Sequence, residues 1–148
     1  MNAILNFFRK FSLGRTIKKL FNTIETEFMD DFLELLLKGL RLMLCLDHKF
    51  RKNIKDFNAR YTFRSRDGKI AASAIFANNK MKVKRTAIDN TNVTVVFKDG
   101  KSLWEFLMGK NPDVFAFILD NKLSYEGNAN YVLKFAYMAT HLKVKYGL

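Results

Sequence analysis

The chain has 148 residues, the size of one ordinary domain, and a formal charge of +12, which favours an anionic partner: phospholipid head groups, nucleic acid or an acidic protein. Its one cysteine, Cys45, excludes an intramolecular disulfide and zinc sites built from several cysteines, and His48 and His141 alone make a histidine-rich metal site improbable. A chain this long needs no disulfide to hold a core, and its 15 phenylalanines must go into that core, a cavity wall or a membrane.

Ile4, Leu5, Phe7, Phe8 and Phe11 open a short amphipathic segment that halts near Gly14. Arg9, Lys10, Arg15, Lys18 and Lys19 all precede the first acid, Glu25. These charges follow the first apolar residues and no adequate hydrophobic region comes after them, so the segment does not read as a secretory signal. Phe7, Phe8 and Phe11 with Arg9, Lys10 and Arg15 fit an interfacial helix on an anionic membrane surface, and equally a helix packed on the domain. Each cation near such a surface contributes about 1 kcal/mol.

Helical spacing restarts with Ile17, Leu20, Phe21, Ile24, Phe28, Phe32, Leu35 and Leu36 and runs through Leu40 to Leu46, with a break expected near Gly39. The apolar stretch Phe32 to Leu46 contains Glu34, Lys38 and Arg41 and is too short and too charged to span a bilayer. An acidic patch (Glu25, Glu27, Asp30, Asp31, Glu34) precedes a basic stretch from Lys49 to Lys55. Residues 1–55 thus read as a helical extension that packs on or precedes a domain of residues 56–148.

After Asp56 the period changes to two. Phe57, Ala59, Tyr61 and Phe63 alternate with Asn58, Arg60, Thr62 and Arg64, as in a half-buried strand. Arg66-Asp67-Gly68-Lys69 is a hairpin turn, Ile70 to Ala77 a second strand and Asn78-Asn79-Lys80 a second turn. In a third strand Met81, Val83 and Arg85 alternate with Lys82 and Lys84, and Asn92 to Phe97 is a fourth. Strands joined by tight turns predict an antiparallel meander.

Helical spacing returns at Leu103, Trp104, Phe106, Leu107 and Met108, ended by Gly109, and Pro112 suits the first turn of a helix running to Leu119. Leu123 to Glu126 is a short strand before Gly127, and Tyr131, Phe135, Met138 and Leu142 line one face of a last helix beside the small Ala136 and Ala139. Grouped strands flanked by helices predict an α+β fold.

Four segments in this order carry a family resemblance: Ala59 to Phe63 with Arg66-Asp67-Gly68-Lys69; Val93 to Phe97; Leu103 to Asp113; and Leu123-Ser124-Tyr125-Glu126-Gly127-Asn128 leading into the last helix. Together they resemble the SCP2-like (sterol carrier protein 2) domain over roughly residues 57–143. The resemblance implies a five-stranded, mainly antiparallel sheet covered on one face by helices. An apolar tunnel between them would take a sterol, fatty acid, fatty acyl-CoA or phospholipid. It implies no catalytic residue and no cofactor. The long helical N-terminal region and the C-terminal Tyr146-Gly147-Leu148, which is not the Ser-Lys-Leu peroxisomal address, depart from familiar members. They point to a cytoplasmic protein working at a membrane or on a partner.

An apolar site needs concave apolar walls. The predicted inward faces supply Tyr61, Phe63, Phe76, Val93, Val95, Trp104, Leu107, Phe115, Ile118, Tyr131 and Phe135, with Met108 and Met138 as adaptable wall or gap filler. Ala72 and Ala74 are small where a strand favours Val or Ile, which leaves either a void or close approach for a helix. Arg60, Arg64 and Arg66 with Lys80, Lys82 and Lys84 are expected to form a basic outer sheet face, either solvated or meeting an anionic partner. No nucleic acid is expected there, because Tyr61 and Phe63 point away from the arginines, whereas sheet-based RNA recognition needs aromatics among the cations. A scaffold subunit with a filled core that docks a protein is the other reading. Catalysis has little support: Asp30 and Asp31 face no common point on a helix, no glycine loop cradles a phosphate, and Cys45 with His48, three apart, lacks an orienting third group.

Overall fold

The computed structural model describes residues 29–108 and 113–146. The expected amphipathic opening, with its membrane-contact residues Phe7, Phe8, Arg9, Lys10, Phe11 and Arg15, lies outside them. Helix α1 (Met29–Leu46) runs unbroken through Gly39, where a break was expected. Leu33, Leu37, Leu40 and Leu44 recur at helical spacing and are buried, so one continuous stripe seats the whole helix. The stripe packs over strands β2 (Ala71–Ala77) and β3 (Lys80–Lys84). Asp47 ends α1 and caps α2 (His48–Arg51), its side chain accepting from the amides of Lys49 at 3.0 Å and Phe50 at 3.1 Å. A single 3-10 turn (Lys52–Ile54) follows.

Strand β1 (Ala59–Ser65) is central, in the order β3-β2-β1-β4-β5. The β1–β2 turn closes on Gly68, whose φ of +73° suits glycine, while the Asp67 side chain accepts from the Lys69 amide at 3.0 Å. Asn78 and Asn79, both at positive φ, make the two-residue turn between β2 and β3.

The expected meander fails at the next step. Strand β4 (Val93–Phe97) does not lie beside β3 but pairs with β1 in parallel, Tyr61 opposite Val93 and Phe63 opposite Val95. Residues 85–92 carry the chain back across the outer face of β2 and β1. That strap is tied to the strands it crosses: the Ser73 hydroxyl donates to Thr86 O, the Ile88 amide donates to Thr62 Oγ1 at 3.3 Å, and the Arg60 guanidinium donates to Asp89 O and Asn90 O at 3.0 and 3.2 Å. Thr62 and Ser73 are buried despite facing outward. The strap needs partners for its backbone, and two outward hydroxyls and one arginine supply them.

The three remaining pairings are antiparallel, the last joining β4 to β5 (Leu123–Gly127). Helix α3 (Gly100–Met108) starts where Asp99 accepts from the Ser102 amide at 2.8 Å, a bond that holds the Asp99 carboxyl below its ordinary range. Helix α4 (Val114–Leu119) begins two residues later than expected, because Asp113 caps it by accepting from the amides of Phe115 and Ala116. Helix α5 (Ala129–Tyr146) closes the fold. Buried side chains from all five helices and the inward strand positions form one core.

Gly127 has a φ of +109°, and a Cβ there would stand 2.3 Å from the Asn92 carbonyl. The same carbonyl accepts from the Asn128 amide at 3.1 Å, and the Asn128 side chain accepts from the Asn130 amide at 2.9 Å to cap α5. The Gly-Asn pair is therefore the joint where β5 meets the end of the strap. Gly127→Ala combines backbone strain with a clash against main chain. It should destabilise the fold by about 2 kcal/mol or more, read as a lowered urea midpoint with an unchanged slope.

Candidate functional site

Inward-facing β1 and its neighbours build an aromatic layer under α5. Tyr61 and Phe63 lie in near-parallel planes 5.8 Å apart, Phe76 on β2 meets the Tyr61 ring edge at 5.6 Å, and Phe135 on α5 sits 4.7 Å from Phe63 and 5.7 Å from Tyr61. Register places Ala74 opposite Tyr61 and Ala72 opposite Phe63, so the two small residues flank the largest rings. All six are buried. Fully burying one such ring contributes about 1.5–3 kcal/mol, and ring pairs in these geometries add about 0.5–1.5 kcal/mol.

The phenol of Tyr61 is the polar member of this layer. It donates to the Tyr131 carbonyl at 2.8 Å. Burial, and secondarily the neighbouring Tyr131 phenol, push its pKa far above the ordinary value of 10.0. The far end of the layer is tied by His141 on α5, whose ring meets Phe50 at 5.2 Å and whose Nδ1 lies 3.1 Å from the Asn53 amide nitrogen.

The structure brings Tyr61, Phe63, Ala72, Ala74, Phe76, Val93, Val95, Phe135 and Met138 into one buried layer. Trp104, Ile118 and Tyr131 are half-buried at its margin. Leu107 and Met108 end α3, and their side chains fall outside the described ones. Phe115 departs from the expected wall: it is 65% exposed. It lines a surface groove of about 460 Å³ between α4 and α5, with Asp113, Val114, Leu133, Ala136, Tyr137 and Thr140. Leu133 and Tyr137, 42% and 59% exposed, were missed because they stand off the buried α5 stripe. Their spacing of four residues was the available signal. Ala136, at the floor of this groove, directly follows Phe135 of the aromatic layer.

One other expectation is corrected. The basic outer sheet face is not continuous: Arg60 is spent on the strap, Arg64 lies 3.6 Å from Glu126, and Arg66 sits in the turn and donates to Asn121 Oδ1 at 2.9 Å. Lys80, Lys82 and Lys84 remain exposed on the edge strand, and Arg66 is exposed in the turn. Cys45 and His48 share no helix, since the chain leaves α1 at Asp47. His48 Nδ1 instead accepts from the Arg51 guanidinium at 3.0 Å. Among the described residues no group of three or more His, Cys, Asp or Glu is placed to hold a metal ion, and no helix is long and apolar enough to cross a membrane.

No protein-family model and no curated protein matches the sequence. Solved structures do match the fold. The UbiJ-SCP2 ubiquinone synthesis protein is 15% identical with a TM-score of 0.58, covering 78% of this chain and 91% of that one. Sterol carrier protein 2 from Yarrowia lipolytica, in its apo form, is 17% identical with a TM-score of 0.55, covering 82% and 94%. The stereoselective inverting sec-alkylsulfatase Pisa1 from Pseudomonas sp. aligns over 60% of this chain at 12% identity and a TM-score of 0.53, and there the chain spans 14% of the sulfatase's length. The chain has the SCP2-like α+β fold.

The buried phenol makes a pH prediction. Its folded pKa lies above its unfolded one, so its contribution is fully present below about pH 10 and is lost as pH rises through the folded value. Tyr61→Phe should cost about 1 kcal/mol at neutral pH through the lost hydrogen bond. It should also flatten the fall in stability above pH 10 relative to wild type, measured by urea unfolding from pH 7 to 11.

Proposed function

We propose that the chain is a non-enzymatic lipid-binding protein that holds an acyl or sterol-like ligand between its sheet and its helices. The observation that carries this reading is the pairing of a buried aromatic layer with an exposed apolar groove beside it. A monomeric surface rarely leaves Phe115, Leu133 and Tyr137 together in water without use. The fold supports it as well, since solved structures of this shape include a sterol carrier protein and a ubiquinone synthesis protein.

In this reading the α4–α5 groove is the mouth. A hydrocarbon chain first covers Phe115, Leu133 and Tyr137, then passes Ala136, where the lack of a long side chain keeps the way open. Small Ala72 and Ala74 and the unbranched Met138 are the places where the layer accommodates a guest, because thioethers change shape at little cost and alanine occupies little volume. Trp104, at the margin, reports on the event. No proton transfer or bond cleavage is required, and the polar groups of the layer are committed to internal hydrogen bonds. A nucleic-acid role has little support, because the rings of β1, β2 and β4 are buried.

Trp104 is the chain's single tryptophan, so titration with a long-chain fatty acid should shift its fluorescence emission with saturation, and native mass spectrometry after gentle purification should show a bound lipid. Leu133→Glu with Tyr137→Glu should weaken that titration by about tenfold or more, corresponding to about 1.4 kcal/mol. The melting temperature should move little, because both side chains are substantially exposed. Fatty-acid affinity unchanged by the double substitution would remove the groove from the binding route.

A further inference from the structure

At the opposite edge of the sheet from α4 lies a second groove, of about 520 Å³, formed where the end of α1, helix α2 and the β2–β3 hairpin converge. Its character is unlike the first. Arg41 from α1, Arg51 from α2, and Lys80 and Lys82 from β3 all line it, and among the described residues no acidic one does. Lysines alone on an edge strand would serve to discourage strand pairing. Two arginines from two helices lining the same groove go beyond that requirement.

Two nearby carboxylates are engaged elsewhere, while Asp56 meets the rim only through its amide, which donates to Asn79 Oδ1 at 3.3 Å. Asp47 is buried and accepts the first amides of α2. Glu34 is taken by Lys38 and by Arg85, the latter at 2.7 Å. Four cationic residues therefore line one concavity, and among the described residues no acidic one does. Arg51 is held by its donation to His48 Nδ1 at 3.0 Å, which positions its planar fork. Asn78 and Asn79 add amide donors at the rim, and buried Leu44 and Met81 supply an apolar floor.

We propose that this groove binds the phosphate group of an organic phosphate ester, with the ester's carbon portion resting on Leu44 and Met81. Guanidinium groups suit phosphate oxygens because the fork donates two parallel hydrogen bonds, and lysines supply mobile point charge beside them. Four cations match a dianionic phosphate better than a single carboxylate. The phosphate can come from a lipid head group at a bilayer or from a soluble ester, and both present the same atoms. The inference stands apart from the lipid reading, since the two grooves share no lining residue.

Two double variants of the full chain with equal net charge test it: Arg41→Gln with Lys82→Gln in the groove, and Lys98→Gln with Lys101→Gln on exposed positions at the start of α3. Inorganic pyrophosphate is followed by calorimetry at low salt, and phosphatidylcholine vesicles containing phosphatidic acid are followed by flotation. The groove variant should lose about tenfold in affinity for one or both probes, while the control variant stays within about twofold of wild type, the scale expected of a general charge effect on exposed sites. Loss with vesicles alone assigns the phosphate to a lipid head group, and loss with pyrophosphate assigns it to a soluble ester. Equal loss in the two variants, loss in neither, or no binding of either probe by the wild type overturns the proposal. Pyrophosphate has no chain to bury, so these results separate cleanly from any failure of fatty-acid binding.

Discussion

Strand β1 carries the constraint on which the rest of the structure depends: one strand, in the middle of the sheet, must satisfy two unlike neighbours at once. Its inward residues, Tyr61 and Phe63, meet rings from β2 and α5, while its outward residues, Arg60 and Thr62, hold a peptide strap that runs over them. Because side chains alternate strictly along a strand, a slip of one residue would put hydroxyl and guanidinium groups against the rings and rings against the strap. The parallel pairing with β4 follows from the strap, and the position of α5 follows from β4 and β5. The layer in which a ligand would lie is thus defined from the back of the sheet as much as from its front.

That arrangement divides the surface into two chemistries. On one side, α4 and α5 present exposed apolar side chains around a groove lined by Ala136, the sequence neighbour of Phe135 in the aromatic layer. Toward the β3 edge, α1 and α2 bring arginines beside edge-strand lysines over a small apolar floor. Hydrocarbon burial is non-directional and tolerant of ligand shape, whereas phosphate recognition depends on geometry and on salt. A protein that handled amphiphiles, as proposed, would have use for both, and the two grooves share no lining residue.

Much of this was legible before any coordinates. The change from helical to two-residue period after Asp56, the Asp-Gly and Asn-Asn turns, and the ordered segments ending in Gly127-Asn128 were enough to reach the α+β class and the SCP2-like shape, because each depends on local pattern. Tyr61, Phe63, Phe76 and Phe135 were expected together on the same grounds. The strand order was not legible, since Thr86 to Thr91 reads as an ordinary loop, and only the outward hydroxyls of Thr62 and Ser73 hint that something crosses above them. Phe115 was expected inward with the rest of its apolar helix; the stripe that helix buries is Val114, Phe117 and Ile118, and Phe115 stands off it. The basic groove could not be read at all, because its cations come from three elements separated along the chain.

The most direct test of the central claim is a nuclear magnetic resonance measurement on the full chain saturated with a long-chain fatty acid labelled with carbon-13. Through-space contacts between the ligand's methylene protons and the methyl groups of Ala72, Ala74 and Met138 are the expected result, since those are the small or adaptable members of the buried layer. A saturated complex whose methylenes contact only exposed residues such as Phe115 and Leu119, with the three methyl groups unperturbed, would contradict a ligand held between sheet and helices.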